Sequence, residues 1–245
     1  DLSFRTVVTE NGETIGDDKF ESRVSMWVKI CGLTDPAAAA EVGRLGPDAV
    51  GLNFYKGSPR SVSAEVAATI VGALPPEMEA VGVFVNHTAD AVAAVCRDAG
   101  LQTAQIHGDE LPEQLQELQS LAPELGIIRA HRMGAEGIGP LAEYLGRCRE
   151  LGVELTACLV DAKADGVYGG SGEVAPWAAL RTEDAGDDWP PLLLAGGLDA
   201  ENVGAAVRAV HPGGVDVASG VESSPGIKDL KQVEAFIRAA RDADA

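Results

Sequence analysis

Eight short apolar, β-rich runs alternate with stretches of helical spacing between residues 26 and 245, and that rhythm predicts a single-domain (β/α)8 barrel of the α/β class. Three observations carry the prediction. Eight strand–helix units fit into about 220 residues, the usual size of such a barrel. Polar residues gather where each strand ends, whereas the opposite ends carry mainly Gly, Pro and apolar residues. The chain holds 29 glycines and is only 4% aromatic, which suits tight βα turns better than a β-sandwich. A doubly wound open sheet is the competing architecture, but no G-x-G-x-x-G fingerprint follows the first strand.

The first strand, Trp-Val-Lys-Ile-Cys at 27–31, is a run of β-formers stopped by Gly32. Thr34 or Asp35 then caps a helix over 36–45, with Pro36 in the first turn. Later strands are expected at 49–54, 80–85, 103–106, 126–130, 156–160, 191–195 and 215–218. Helical spacing marks 63–73, 88–99, 111–121, 139–151, 200–210 and 228–243, with a weaker helix near 175–181. Residues 1–25 lack sustained periodicity and carry turn signals at Asn11-Gly12 and Gly16-Asp17. The expected division is therefore a short extension over 1–25, with Met26 a natural start, and one barrel over 26–245.

Charge narrows the range of partners. Asp and Glu number 38 against 19 Lys and Arg, a formal charge of −19. No basic stripe exists to displace counterions, so nucleic acid is excluded, and an anionic membrane surface is disfavoured. No apolar run reaches the roughly 18 residues of a membrane span, and 1–25 holds no apolar signal core, so a cytoplasmic protein is expected. Such acidity also fits the surface of a protein from a high-salt cytoplasm. Backbone N–H groups can still bind a phosphate within an acidic chain. Cys31, Cys96, Cys148 and Cys158 show no C-x-x-C spacing, so neither a zinc site nor a redox pair is expected. Cys96, Cys148 and Cys158 read as packing residues. Neither a metal-ligand spacing nor a G-x-S-x-G motif occurs.

The chemistry-bearing residues sit at strand tips. Taken alone, Cys31 reads as a small buried hydrophobe. Asp161, at the end of an apolar strand, is either a cap or an acid–base group with a raised pKa. Together across a barrel mouth they form a two-proton device, one group removing a proton while the other supplies one. The thiol must then ionise near neutrality, helped by Lys29 or by local dipoles. Gly196-Gly197 and Ser219-Gly220, after the seventh and eighth strands, have the makings of a phosphate cup, because a Cβ would block close approach of the anion. Arg60, in a loop braced by Pro59, is either a carboxylate clamp or a surface residue paired with a nearby acid. His107, after the fourth strand, faces the same site or serves as a structural histidine. The loop from Ala162 to Gly172, with Gly166, Gly169, Gly170 and Gly172, is long enough to close over a substrate.

These motifs resemble those of the phosphoribosylanthranilate isomerases of tryptophan biosynthesis. The matching segments are Val28-Lys29-Ile30-Cys31-Gly32, Ser58-Pro59-Arg60, Val81 to Asn86, Gln105-Ile106-His107-Gly108-Asp109 and Val160-Asp161. They continue with Gly169-Gly170-Ser171-Gly172, Leu194 to Leu198, Val215 to Glu222 and Pro225 to Asp229, in order over residues 26–245. The resemblance implies an Amadori rearrangement of N-(5-phosphoribosyl)anthranilate, a small phosphosugar–anthranilate substrate, without cofactor or metal. By carry-over, Asp161 is the general acid and Cys31 the general base. Arg60 holds the anthranilate carboxylate, His107 lines the pocket and Asp216 contacts the sugar. Gly196, Gly197, Ser219 and Gly220 hold the phosphate. The family's Gly-Gly-Thr-Gly stands here as Gly-Gly-Ser-Gly, and Pro176 replaces an aspartate before Trp177. Whether the chain is a monomer or a homodimer is open.

Other phosphosugar barrels compete within this fold. An indole-glycerol-phosphate synthase would be expected to use Lys and Glu at strand tips, and an epimerase would need metal-binding histidines. A histidine-pathway isomerase is a further alternative. A non-catalytic phosphate-binding barrel would keep the glycine-rich tips without needing both Cys31 and Asp161.

Overall fold

The computed structural model describes residues 7–8, 14–15, 26–133, 137–162, 180 and 188–244. Eight parallel strands close into a barrel: β1 Trp27–Cys31, β2 Ala49–Asn53, β3 Glu79–Phe84, β4 Thr103–Ile106, β5 Gly126–Met133, β6 Ala157–Ala162, β7 Leu192–Leu194 and β8 Gly214–Val217. Each strand pairs with the next in sequence, and β8 pairs with β1 to complete the ring, as Asp216 lies opposite Lys29. The helices are α1 Pro36–Arg44, α2 Ala64–Ala73, α3 Ala89–Ala99, α4 Pro112–Leu121, α5 Gly139–Glu150, α6 Val203–Val210 and α7 Leu230–Asp244. Val7–Val8 and Thr14–Ile15 pair as two short antiparallel strands.

Strand alternation separates two cores. Outward residues such as Val28, Ile30, Leu52 and Phe84 pack against the helices in one large apolar layer. Inward residues, among them Trp27, Ala49, Val81, Ile128, Ala157, Leu159 and Leu193, fill the barrel interior. Trp27 fits there because Gly214 stands beside it; a Cβ at that glycine would lie 2.8 Å from the indole. Above this apolar floor the interior turns polar, with Lys29, Gln105 and Asp216 all buried. A barrel that buries charge in its centre holds it for a purpose other than packing.

Local signals set the helix starts. Asp35 accepts the Ala38 N–H at 2.9 Å, and Ser63 and Thr88 cap α2 and α3 in the same way. Gly100, at φ 72°, ends α3 in a left-handed turn. Several boundaries differ from expectation, four of them with a local cause or consequence. β5 runs on to Met133 and β6 to Ala162, so Asp161 lies within a strand, paired with Arg132, rather than beyond its end. α6 begins at Val203 because Asp199 and Asn202 exchange side-chain-to-backbone bonds of 2.9 Å that close a turn first. The last helix begins at Leu230, not at 228. Gly226, at φ 83°, instead folds β9 Glu222–Ser224 against β10 Ile227–Lys228, and Asp229 then accepts the Lys231 N–H at 2.9 Å. The expected weak helix near 175–181 and the Ala162–Gly172 loop fall, apart from Leu180 and Ala162, outside the described residues.

Candidate active site

Cys31 is the last residue of β1, in phase with Trp27 and Lys29, so its side chain turns into the barrel. Gly51 on β2 makes the space: a Cβ there would sit 2.6 Å from the sulfur. Cys31 is 9% exposed and belongs to neither apolar cluster, whereas Cys96, Cys148 and Cys158 lie in the outer core. Burial pushes the Cys96 and Cys158 thiols up to about 12 and Cys148 to about 11, as befits packing residues. Burial, with Asp216, also holds the Cys31 thiol above its ordinary value, but there Lys29 and Lys228 oppose the rise.

Asp161, in phase with Ala157 and Leu159 on β6, projects into the same mouth and is 4% exposed. His107 lies beside it, Nε2 standing 3.4 Å from the Asp161 carboxylate. Gln105, two residues earlier on β4, places its amide nitrogen 2.9 Å from His107 Nδ1. With the amide so oriented, Nδ1 accepts and a neutral ring carries its proton on Nε2, towards Asp161. The His107 Nε2 and Gln105 Oε1 atoms are buried and make no hydrogen bond among the described residues, Nε2 having only the longer approach to Asp161. Such atoms are where a bound molecule finds ready hydrogen bonds.

Lys29 is fully buried, its ammonium donating to Asp216 at 3.0 Å. Burial alone would lower its pKa, but Asp216 and the Cys31 sulfur outweigh that and raise it, so the charge is kept. Arg60 crosses the mouth above Gly32, where a Cβ would lie 2.5 Å from the arginine Cδ; Gly32 also takes φ 86°. Its guanidinium forms a fork with Glu222, Nε at 2.8 Å and Nη2 at 2.6 Å, which raises the arginine pKa further. Lys228 donates to the same Glu222 at 2.8 Å and to the Ala218 carbonyl at 2.9 Å. Arg60 is therefore both paired with an acid and held at the mouth. The two readings open from sequence are not exclusive.

The β7 and β8 tips meet. Gly196 and Gly197 take φ 90° and 67°, values that favour glycine. Ser219–Val221 form one 3-10 turn, and a Cβ at Gly220 would overlap the Leu198 carbonyl oxygen. The two glycine-rich tips are thus pressed together, leaving Ser219 at the start of the turn.

A second network, buried only at Glu110 and Arg129, steadies the β3 and β4 tips. Asn86, at φ 56°, accepts the Asp109 N–H at 2.8 Å, and its own N–H donates to Glu110 at 2.5 Å. Glu110 lies 3.4 Å from Arg129, whose guanidinium stacks 4.6 Å above the Tyr144 ring. Neither this network nor Gln105, Glu222 and Lys228 was identified from sequence as functional. Gly51 within a strand and the buried Lys29 were the available signals for a crowded thiol. Among the described residues no group of three or more His, Cys, Asp or Glu side chains could hold a metal ion, and no helix is long and apolar enough to cross a membrane.

A closed (β/α)8 barrel with its polar side chains gathered at the C-terminal mouth defines an enzyme of the barrel class. A family model described as N-(5'phosphoribosyl)anthranilate (PRA) isomerase matches residues 28–239. The isomerase of Trichlorobacter lovleyi is 40% identical over 217 residues, covering 88% of this chain and 98% of the relative. That of Magnetococcus marinus is 43% identical over 215 residues, 87% and 94% of the two chains. Among solved structures, the phosphoribosyl anthranilate isomerase of Thermotoga maritima superimposes with a TM-score of 0.76 at 34% identity, covering 88% of this chain and 98% of that one. A second isomerase structure, in complex with reduced 1-(o-carboxyphenylamino)-1-deoxyribulose 5-phosphate, gives 0.73 at 33% identity, with the same coverage. The chain belongs to the N-(5'-phosphoribosyl)anthranilate isomerase family and is an isomerase of tryptophan biosynthesis.

Proposed function

We propose that this chain converts N-(5-phosphoribosyl)anthranilate to 1-(o-carboxyphenylamino)-1-deoxyribulose 5-phosphate, with Asp161 as general acid and Cys31 as general base. Asp161 protonates the furanose ring oxygen, and the ring opens to a Schiff base. Cys31 takes the proton from C2′, the electron pair moves towards the nitrogen, and the resulting enolamine tautomerises to the ketone. The observation that carries this reading is the shared phase of the two side chains: Cys31 and Asp161 both turn inward at the same end of the barrel.

Arg60 binds the anthranilate carboxylate with the guanidinium edge that Glu222 leaves free, and His107 donates from Nε2 to the substrate or to Asp161. Asp216 borders the sugar. Backbone N–H groups at Gly196, Gly197, Ser219 and Gly220 cradle the phosphate, supported by the close meeting of the two tips. Residues 26–245 act as one catalytic domain.

The test is fluorimetric. Phosphoribosylanthranilate generated in situ from anthranilate should be consumed at a rate proportional to the amount of this protein added. Consumption no faster than the uncatalysed background would overturn the assignment.

A further inference from the structure

The proposed chemistry sets one physical requirement: a buried thiol must act as a base, although burial by itself favours the protonated form. The charges around Cys31 work against that penalty: Lys29 and Lys228 favour the thiolate, while Asp216 adds to the effect of burial. Lys29 lies one layer deeper on the same face of β1, and Asp216 reaches it from β8. Arg60 comes from the loop after β2, while Glu222 and Lys228 come from the hairpin after β8. From β2 itself the neighbour is uncharged Gly51. Lys29, Arg60 and Lys228 make three positive charges against the two carboxylates Asp216 and Glu222. One positive charge is left over, the charge that an ionised Cys31 would neutralise.

The three cations are not equivalent. Glu222 engages both Arg60 and Lys228, taking two bonds from the first and one from the second. Lys29 meets Asp216 through one oxygen at 3.0 Å, and it lies two residues from Cys31 on the same inward face of β1, where its charge favours the thiolate. An ammonium offers three donors, so the carboxylate and the sulfur can both be served. The geometry points to Lys29 as the positioning residue that stabilises Cys31 as a thiolate, with Asp216 fixing the ammonium beneath the sulfur. This inference rests on Cys31 being the base, and it names the group that makes it one.

The experiment follows Cys31 alkylation by iodoacetamide in the full chain, read on the Cys31 peptide by mass spectrometry over a pH series. Lys29→Met should move the midpoint up by at least about one pH unit, a tenfold smaller thiolate fraction near neutrality. Removing Lys29 strands Asp216, so the double variant Lys29→Met with Asp216→Asn is measured beside it, with circular dichroism to check folding. That variant keeps the net charge of the cluster, and its midpoint should still lie above wild type because the cation on the thiol's own strand face is gone. An unchanged midpoint in the folded double variant would overturn the inference. The base assignment is tested separately. A shifted midpoint together with wild-type turnover by Cys31→Ala would uphold the electrostatics and remove Cys31 from the chemistry. An unshifted midpoint together with an inactive Cys31→Ala would do the opposite.

Discussion

Glu222 offers the most quantitative test of how the mouth is held together. It accepts from Arg60 at 2.8 and 2.6 Å and from Lys228 at 2.8 Å, and its side chain is only 4% exposed. Glu222→Ala deletes three charge-assisted bonds and leaves two cations facing each other without a carboxylate. Breaking a buried ion pair from one side costs about 3–5 kcal/mol. For a chain of this size each kcal/mol lowers Tm by about 2–4 °C, so a fall of roughly 6–20 °C is expected in thermal unfolding at neutral pH. The acid limb supplies the sign check. Burial pushes the Glu222 carboxyl up, but Arg60 and Lys228 more than offset this and hold it below its ordinary value. Its stabilisation is therefore complete above the unfolded carboxylate pKa of about 4.3 and is lost as pH falls through the lower folded value. The stability gap between wild type and Glu222→Ala should hold steady at neutral pH and narrow below that range. A Tm change under about 2 °C, or a gap independent of pH, would refute the account.

Two further perturbations address the rest of the mouth. Arg60→Ala should raise KM for the anthranilate substrate more than it lowers kcat, because the carboxylate lies away from the reacting carbons; steady-state kinetics with an unchanged KM would remove Arg60 from the pocket. Gly220→Ala forces a Cβ against the Leu198 carbonyl and should part the two glycine-rich tips, costing about 1–3 kcal/mol of stability and weakening competitive inhibition by inorganic phosphate. Phosphate inhibition equal to wild type in a folded Gly220→Ala protein would place the anion elsewhere.

Much of this architecture was legible in the chain because barrel strands and helices are local objects. Trp27 to Cys31 read as a strand from its β-formers. Of Thr34 and Asp35, read as alternative caps, Asp35 bonds the backbone, and the ranges expected to start at Ser63 and Thr88 prove to start on caps of the same kind. Polarity at the strand tips placed Cys31, Asp161 and His107 at one end, where the structure also has them. What escaped was set by contacts distant in sequence. The Lys29–Asp216 pair spans 187 residues and the Arg60–Glu222 fork 162, and nothing local announces either partner. Lys228 read as the first residue of a helix because apolar spacing continues through it. The glycine turn at 226 and the bond from Lys228 to Glu222 draw it back into a hairpin. Asp161 read as lying past its strand because residues 156–160 are apolar, but β5 and β6 go on pairing to Ala162.

The central claim is that one thiol and one carboxyl, turned into the same barrel mouth, divide the two proton transfers. The measurement closest to it is kcat for Cys31→Ala and Asp161→Asn, each folded and each saturated with substrate. Both should fall at least ~10²-fold, a usual contribution of a positioned acid or base. Wild-type turnover in either variant would contradict the account.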